Sequence, residues 1–139
     1  MNAAATWVFQ DPLQNPENRS FWQEAQQGRL MLKHCSACDR FHHYPRSYCP
    51  HCGSEQTTWR PSTGLGEVYS FTRMLRGVEI PYLMAYVRLD EGVMLMTHLQ
   101  ASDWDAVHIG MRVQVSFSAS ASGQNVPVFV PQEQVKSSV

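Results

Sequence analysis

The sequence predicts a mainly β protein with a short N-terminal helix, a four-cysteine metal ribbon and a small C-terminal barrel. Three observations lead there. All four cysteines form two Cys-x-x-Cys pairs within "CSACDRFHHYPRSYCPHCGS", Cys35 to Ser54. Beyond Gly66, five short runs rich in β-branched and aromatic residues follow one another with little helical pattern between them. Ahead of the cysteines, one segment carries helix start and stop signals. A chain of 139 residues, 43% of them hydrophobic, suits one globular unit or two small ones sharing an interface.

Residues 1–29 read as an arm followed by a helix. Trp7, Val8 and Phe9 are apolar but show no period, so residues 1–14 are expected to be extended and to dock on this chain's core or on a partner. In "NPENRSFWQEAQQG", Asn15 is the candidate N-cap, Pro16 suits the first helical position, Glu17 favours the positive end of the dipole and Gly28 the C′ position. Phe21, Trp22 and Ala25 share one face. That face either packs on its own domain or, through Phe21 and Trp22, meets another protein.

Residues 30–61 read as the ribbon. "RLMLKH" leads in as a strand and "QTTWRP" leads out as another. Residues 62–131 read as the barrel. In "EVYSFTRML", alternation places Tyr69 and Phe71 on one face and Val68 on the other. "YLMAYVRL" and "VMLMTHL" flank Asp90-Glu91-Gly92, a hairpin turn. "MRVQVSFSA" puts Val113, Val115 and Phe117 on one side, and "VPVFVP" completes the set. "ASDWDAVHIG" is a non-strand insertion. Five strands with one such insertion fit an OB barrel. Residues 132–139 read as a frayed tail.

Paired Cys-x-x-Cys turns point to a metal. Each turn curls its backbone round one side of an ion, and two turns close a tetrahedron of thiolates. No fifth cysteine is left over, and a redox dithiol would not need four. Zinc and iron both suit four thiolates; zinc is favoured because nothing else suggests electron transfer. "CPHCG" is a rubredoxin-type knuckle in which Gly53 can adopt positive φ. In the first knuckle Asp39 stands at that place, and aspartate tolerates the left-handed region better than most residues. Four cysteines, Cys35, Cys38, Cys49 and Cys52, fill the coordination shell. The ion, one per chain, is therefore structural and has no open position for a reacting water. His34, His42, His43 and His51 are then surplus as ligands and read as surface residues.

Several classes are disfavoured. Net charge is −1 with 17% charged residues, whereas a nucleic-acid binder needs a basic patch. A zinc-ribbon and OB nucleic-acid module is therefore the alternative reading, with Tyr69, Phe71 and Tyr86 as its stacking residues. The longest apolar stretch lies within "IPYLMAYV", far short of the roughly 20 residues of a membrane helix. The N-terminus lacks the features of a secretory signal, so a cytoplasmic location is expected. There is no nucleophile elbow and no Gly-rich phosphate loop, so no catalytic residue is assigned.

Taken in order, "FWQEAQQGRL", "C-S-A-C", "YPRSYCPHCGS", "GLGEVYSFT" and "MAYVRLDEGVMLMTHL" resemble the DUF35 family over about residues 17 to 131. The resemblance implies a rubredoxin-like zinc ribbon followed by an acyl-CoA-associated OB-fold. It also implies a non-catalytic subunit supporting a thiolase-like partner, with no activity expected alone. An α2β2 assembly is the expected stoichiometry, because thiolase-like proteins usually dimerise. Acyl-CoA would be reached through the complex. Arg46, Arg73 and Arg76 are the candidates for its phosphates, and Phe21, Trp22, Phe41, Tyr44 and Tyr48 for the partner interface.

Overall fold

A computed structural model describes residues 8–137; Trp7 of the expected arm lies outside the described residues. The arm docks on its own barrel. Ala121 N donates to the Phe9 carbonyl at 3.0 Å, and the Asp11 carboxylate accepts from Ser120 Oγ at 2.7 Å and Ser122 N at 3.0 Å. The Ser120 hydroxyl, and then the Ser122 amide, hold the Asp11 carboxyl below its ordinary value.

Asn15 and Asn18 then cap each other. Asn18 N donates to Asn15 Oδ1 at 2.9 Å, and Asn15 N donates to Asn18 Oδ1 at 2.7 Å. This reciprocal bonding satisfies amides that a helix start leaves orphaned. The regular helix α1 runs Arg19–Ala25. It stops where Gly28 N returns to Ala25 O and Arg29 N to Glu24 O, both at 3.0 Å, the paired bonds of a Schellman ending. Glu17 does more than face the dipole: its carboxylate accepts from Ser47 N at 2.6 Å, tying the helix start to the ribbon.

The ribbon is a three-stranded antiparallel sheet in the order β2-β1-β3, with β1 Met31–Cys35, β2 Arg40–His42 and β3 Thr57–Pro61. The sequence signals β1 and β3; β2 has only three residues and lies between the knuckles. Alternation along β1 sends Leu32 and His34 inward, while Lys33 points out, its ammonium 4.9 Å above the Trp59 ring.

The barrel comprises β4 Leu65–Met74, β5 Tyr82–Leu89, β6 Met94–Leu99, β7 Arg112–Ala119 and β8 Asn125–Pro131, with a 3-10 turn at Trp104–Ala106. It closes in the order β4-β5-β6-β8-β7. β7 returns to β4 at Gly66↔Val113, and β6 meets β8 in parallel at Leu99↔Phe129. A Cβ on Gly66 would stand 2.5 Å from the Arg88 carbonyl oxygen, so only glycine admits this close approach of β4 to β5.

One expectation for β4 is corrected. Register shifts between Val68 and Ser70, leaving Tyr69 out of the pairing with β5. The bulge inverts the alternation. Val68 is buried, Tyr69 is exposed beneath the Arg88 guanidinium, and Phe71 packs against the same core as Val68. Tyr69 and Phe71 therefore do not share a face. A second correction concerns the expected tail. Gln132–Ser137 forms helix α2, and Gln134 Oε1 accepts from Ser102 N at 2.8 Å. Ser138 and Val139 lie outside the described residues.

One core joins the parts. Phe21 of α1 and Leu30 and Leu32 of the ribbon cluster with Val68, Leu83, Val87, Leu95, Val113 and Phe129 of the barrel. The ribbon is thus anchored to the barrel by buried apolar surface as well as by the chain.

Candidate metal centre and its surroundings

The two knuckles bring all four cysteines together. Their sulfurs lie within 4.8 Å of one another, and Cys35–Cys52 and Cys38–Cys49 are each 3.7 Å apart. Sulfurs ~2.3 Å from a tetrahedral zinc stand about 3.8 Å from each other, so the spacing fits such an ion. It is far too long for a disulfide, whose sulfurs are ~2.05 Å apart. The knuckles repeat one geometry. Asp39 N donates to Cys35 O and Gly53 N to Cys49 O, both at 2.8 Å. The turn residues are left-handed, at φ 57° for Asp39 and 80° for Gly53.

The electrostatics also call for a cation. The Cys38 backbone amide, helped by that of Ala37, draws the Cys35 thiol down to about 7. Burial, and then the neighbouring sulfurs, push Cys38 up to about 12. Thiolates this close repel each other, so the fully ionised set needs a bound positive charge.

The histidines do not all lie on the surface. His34 and His42 are buried, contrary to expectation, because β1 and β2 turn them toward the apolar interior. His34 Nε2 stands 2.8 Å from Asp39 Oδ1, and its ring meets Phe41 edge-on at 4.7 Å. Burial, chiefly, lowers the pKa of His42. His43 is pushed down to about 4, first by burial and then by the charge of His42. His51 is exposed.

The proposed contact residues divide. Phe21 is 5% exposed and belongs to the core, so, contrary to expectation, it is not available to a partner; the helix face is spent on this chain's own packing. Trp22 and Phe41 are half-buried against the same core. Tyr44 and Tyr48 remain exposed. Among the arginines, Arg46 lies over the Tyr44 ring at 5.3 Å. Arg73 pairs with Asp105 at 2.8 Å, and Arg76 is exposed in the loop after β4. Arg46 stands on the ribbon and the other two at the end of a barrel strand.

Two features had little signal in the sequence. Asn18 is fully buried, and its amide donates to Leu13 O at 3.1 Å and to the Tyr44 hydroxyl, joining arm, helix and ribbon. A cleft of about 160 Å³ lies between α1, the His43–Tyr44 segment and strands β6 and β8, lined mainly by apolar side chains such as Trp22, Leu95, Met96 and Pro127.

Residues 22–58 match the family described as ChsH2, rubredoxin-like zinc ribbon domain, and residues 59–118 match ChsH2, C-terminal OB-fold domain. A solved structure described as the Ltp2-ChsH2(DUF35) aldolase contains a chain 34% identical, with a TM-score of 0.76 over 87% of this chain and 98% of that one. The chain belongs to the ChsH2 (DUF35) family. A DUF35 protein from Sulfolobus solfataricus shares the fold at 20% identity and a TM-score of 0.59, over 73% of this chain and 78% of that one. A Thermomonospora curvata protein named probable enoyl-CoA hydratase alpha subunit is 35% identical over 130 residues, 88% of this chain. This ChsH2-family chain spans 41% of that relative's length. Its own described residues include no helix long and apolar enough to cross a membrane.

Proposed function

We propose that this chain is the non-catalytic zinc-ribbon and OB-fold subunit of a cytoplasmic thiolase-type acyl-CoA complex. One observation carries the reading: the match covers 98% of a chain in a solved structure described as the Ltp2-ChsH2(DUF35) aldolase. The site chemistry agrees. All four cysteines are gathered at one metal site, leaving no thiol for the nucleophile that thiolase chemistry uses. Zinc fills that site and is structural, because four sulfurs leave it no open position. The barrel also offers apolar surface to a partner: Tyr86 pairs with Met96 across β5 and β6, and both are exposed, as is Tyr69. Tyr44 and Tyr48 extend the candidate interface on the ribbon.

The partner supplies the catalytic groups for carbon–carbon bond cleavage or formation beside the thioester. This chain supports it and lends Arg46, Arg73 and Arg76 to the CoA phosphates. Arg73 must then exchange Asp105 for phosphate. Co-expression with a thiolase-like protein from the same host is expected to yield one complex with two copies of each chain by light scattering. Carbon–carbon cleavage of an acyl-CoA is expected only when both are present. Full activity of either chain alone refutes the subunit role, and a mass of one copy each refutes the stoichiometry. Arg73→Ala with Arg76→Ala tests the CoA contact: unchanged acyl-CoA affinity of the complex refutes it. The hydratase relative favours a second reading of the partner, as an enzyme adding water to an enoyl-CoA. The product of the reconstituted reaction separates the two.

A further inference from the structure

The knuckles share their backbone but not their means of holding it. Gly53 adopts its φ of 80° with no Cβ to strain. Asp39 reaches φ 57° carrying a side chain, a conformation strained for an L-residue and less so for aspartate, whose carboxylate can find a local partner. Here that partner is His34. His34 is 3% exposed, sits one residue before Cys35 on β1, and places Nε2 2.8 Å from the exposed Asp39 carboxylate. The imidazole cannot swing away. It packs edge-on against Phe41, directly opposite in β2, and β3 flanks it at Thr58.

We infer that His34 is a positioning residue of the metal site: its bond to Asp39 locks the first knuckle in the left-handed turn that Gly53 gives the second without help. The lock runs from the rigid sheet through imidazole and carboxylate to the turn. That turn sends Asp39 N back to Cys35 O at 2.8 Å and so fixes the loop that carries two of the four clustered sulfurs. Groups beyond the ligands commonly set metal affinity by 10–100-fold in this way. The inference rests on the site holding zinc.

The test is zinc release from the zinc-loaded full chain to a chromogenic chelator. Asp39 is exposed, so its variants should fold. Asp39→Gly is expected to release zinc within about twofold of the wild-type rate, because glycine needs no lock. Asp39→Ala, which loses both the carboxylate and the tolerance for positive φ, is expected to release it about tenfold faster. His34→Phe, which keeps the ring packing, should accelerate release about tenfold alone and less than twofold in the Asp39→Gly background. His34→Gln, whose amide can still donate, should recover most of the loss. Equal acceleration by His34→Phe in both backgrounds would reduce His34 to a packing residue and overturn the inference. So would equal rates for Asp39→Ala and Asp39→Gly, a result that does not depend on the His34 variants folding. A wild-type chain with no releasable zinc would remove the zinc reading itself, and this inference with it.

Discussion

His43 should make this protein lose stability in mild acid, and replacing it should abolish that loss. Its ring lies 5.4 Å from Phe21 and 5.5 Å from Tyr44, and burial holds its pKa near about 4. An unfolded histidine has a pKa of about 6.5. The group is neutral in both states above that value. As pH falls below it, the unfolded chain takes up the proton first, so stability present above about pH 6.5 is lost progressively toward pH 4. By pH 5.5 the unfolded histidine is about ten-elevenths protonated while the half-buried ring of the folded chain is almost wholly neutral. The folding equilibrium then shifts by about tenfold, on the order of 1 kcal/mol, and the full loss at lower pH is about 3 kcal/mol. Urea unfolding followed by tryptophan fluorescence, at pH 7.5 and 5.5, should therefore show zinc-loaded wild type losing about 1 kcal/mol more than His43→Phe. Zinc loss and the other histidines affect both proteins and drop out of the difference. An identical pH dependence in the two would refute the burial argument.

Two further outcomes are expected. Cys49→Ser should remove one ligand and unfold the ribbon, because structural zinc contributes on the order of 10 kcal/mol to small zinc modules; native mass spectrometry should find the chain without metal, and hydrogen exchange should show β1 to β3 unprotected while the barrel stays protected. Gly66→Ala should destabilise the barrel by about 1–3 kcal/mol, since its Cβ meets a backbone carbonyl at 2.5 Å rather than a yielding side chain; an unchanged unfolding midpoint would contradict the close approach of β4 to β5.

Much of this protein is legible one segment at a time. The cysteine spacing specifies the metal site, because a Cys-x-x-Cys turn sets its own geometry over four residues. Runs rich in β-branched and aromatic residues mark each barrel strand, and Gly28 marks the end of the helical segment, because these signals act within a few residues; the regular helix begins at Arg19, with Asn18 as its N-cap rather than Asn15. Even the left-handed Asp39 follows from its place after the knuckle.

Apart from α2, the features without a local signal depend on partners distant in sequence. The bulge at Tyr69 depends on how β4 must register with β5, and no count along β4 alone reveals it. The burial of Phe21 depends on where ribbon and barrel meet; an aromatic helix face reads the same whether it covers its own core or a neighbour's. His34, beside a cysteine, carries the local pattern of a surface residue, yet β2 and β3 enclose it and Asp39 curls back to meet it. Local signals specify the helical segment, β1, β3, the five barrel strands, their order and the four sulfurs, while β2, three residues long, and α2 go unmarked. Which aromatics remain exposed, which histidines turn inward and what holds the first knuckle in place depend on the tertiary fold. Burial and long-range hydrogen bonds belong to the whole fold, and no short window of the chain contains both partners.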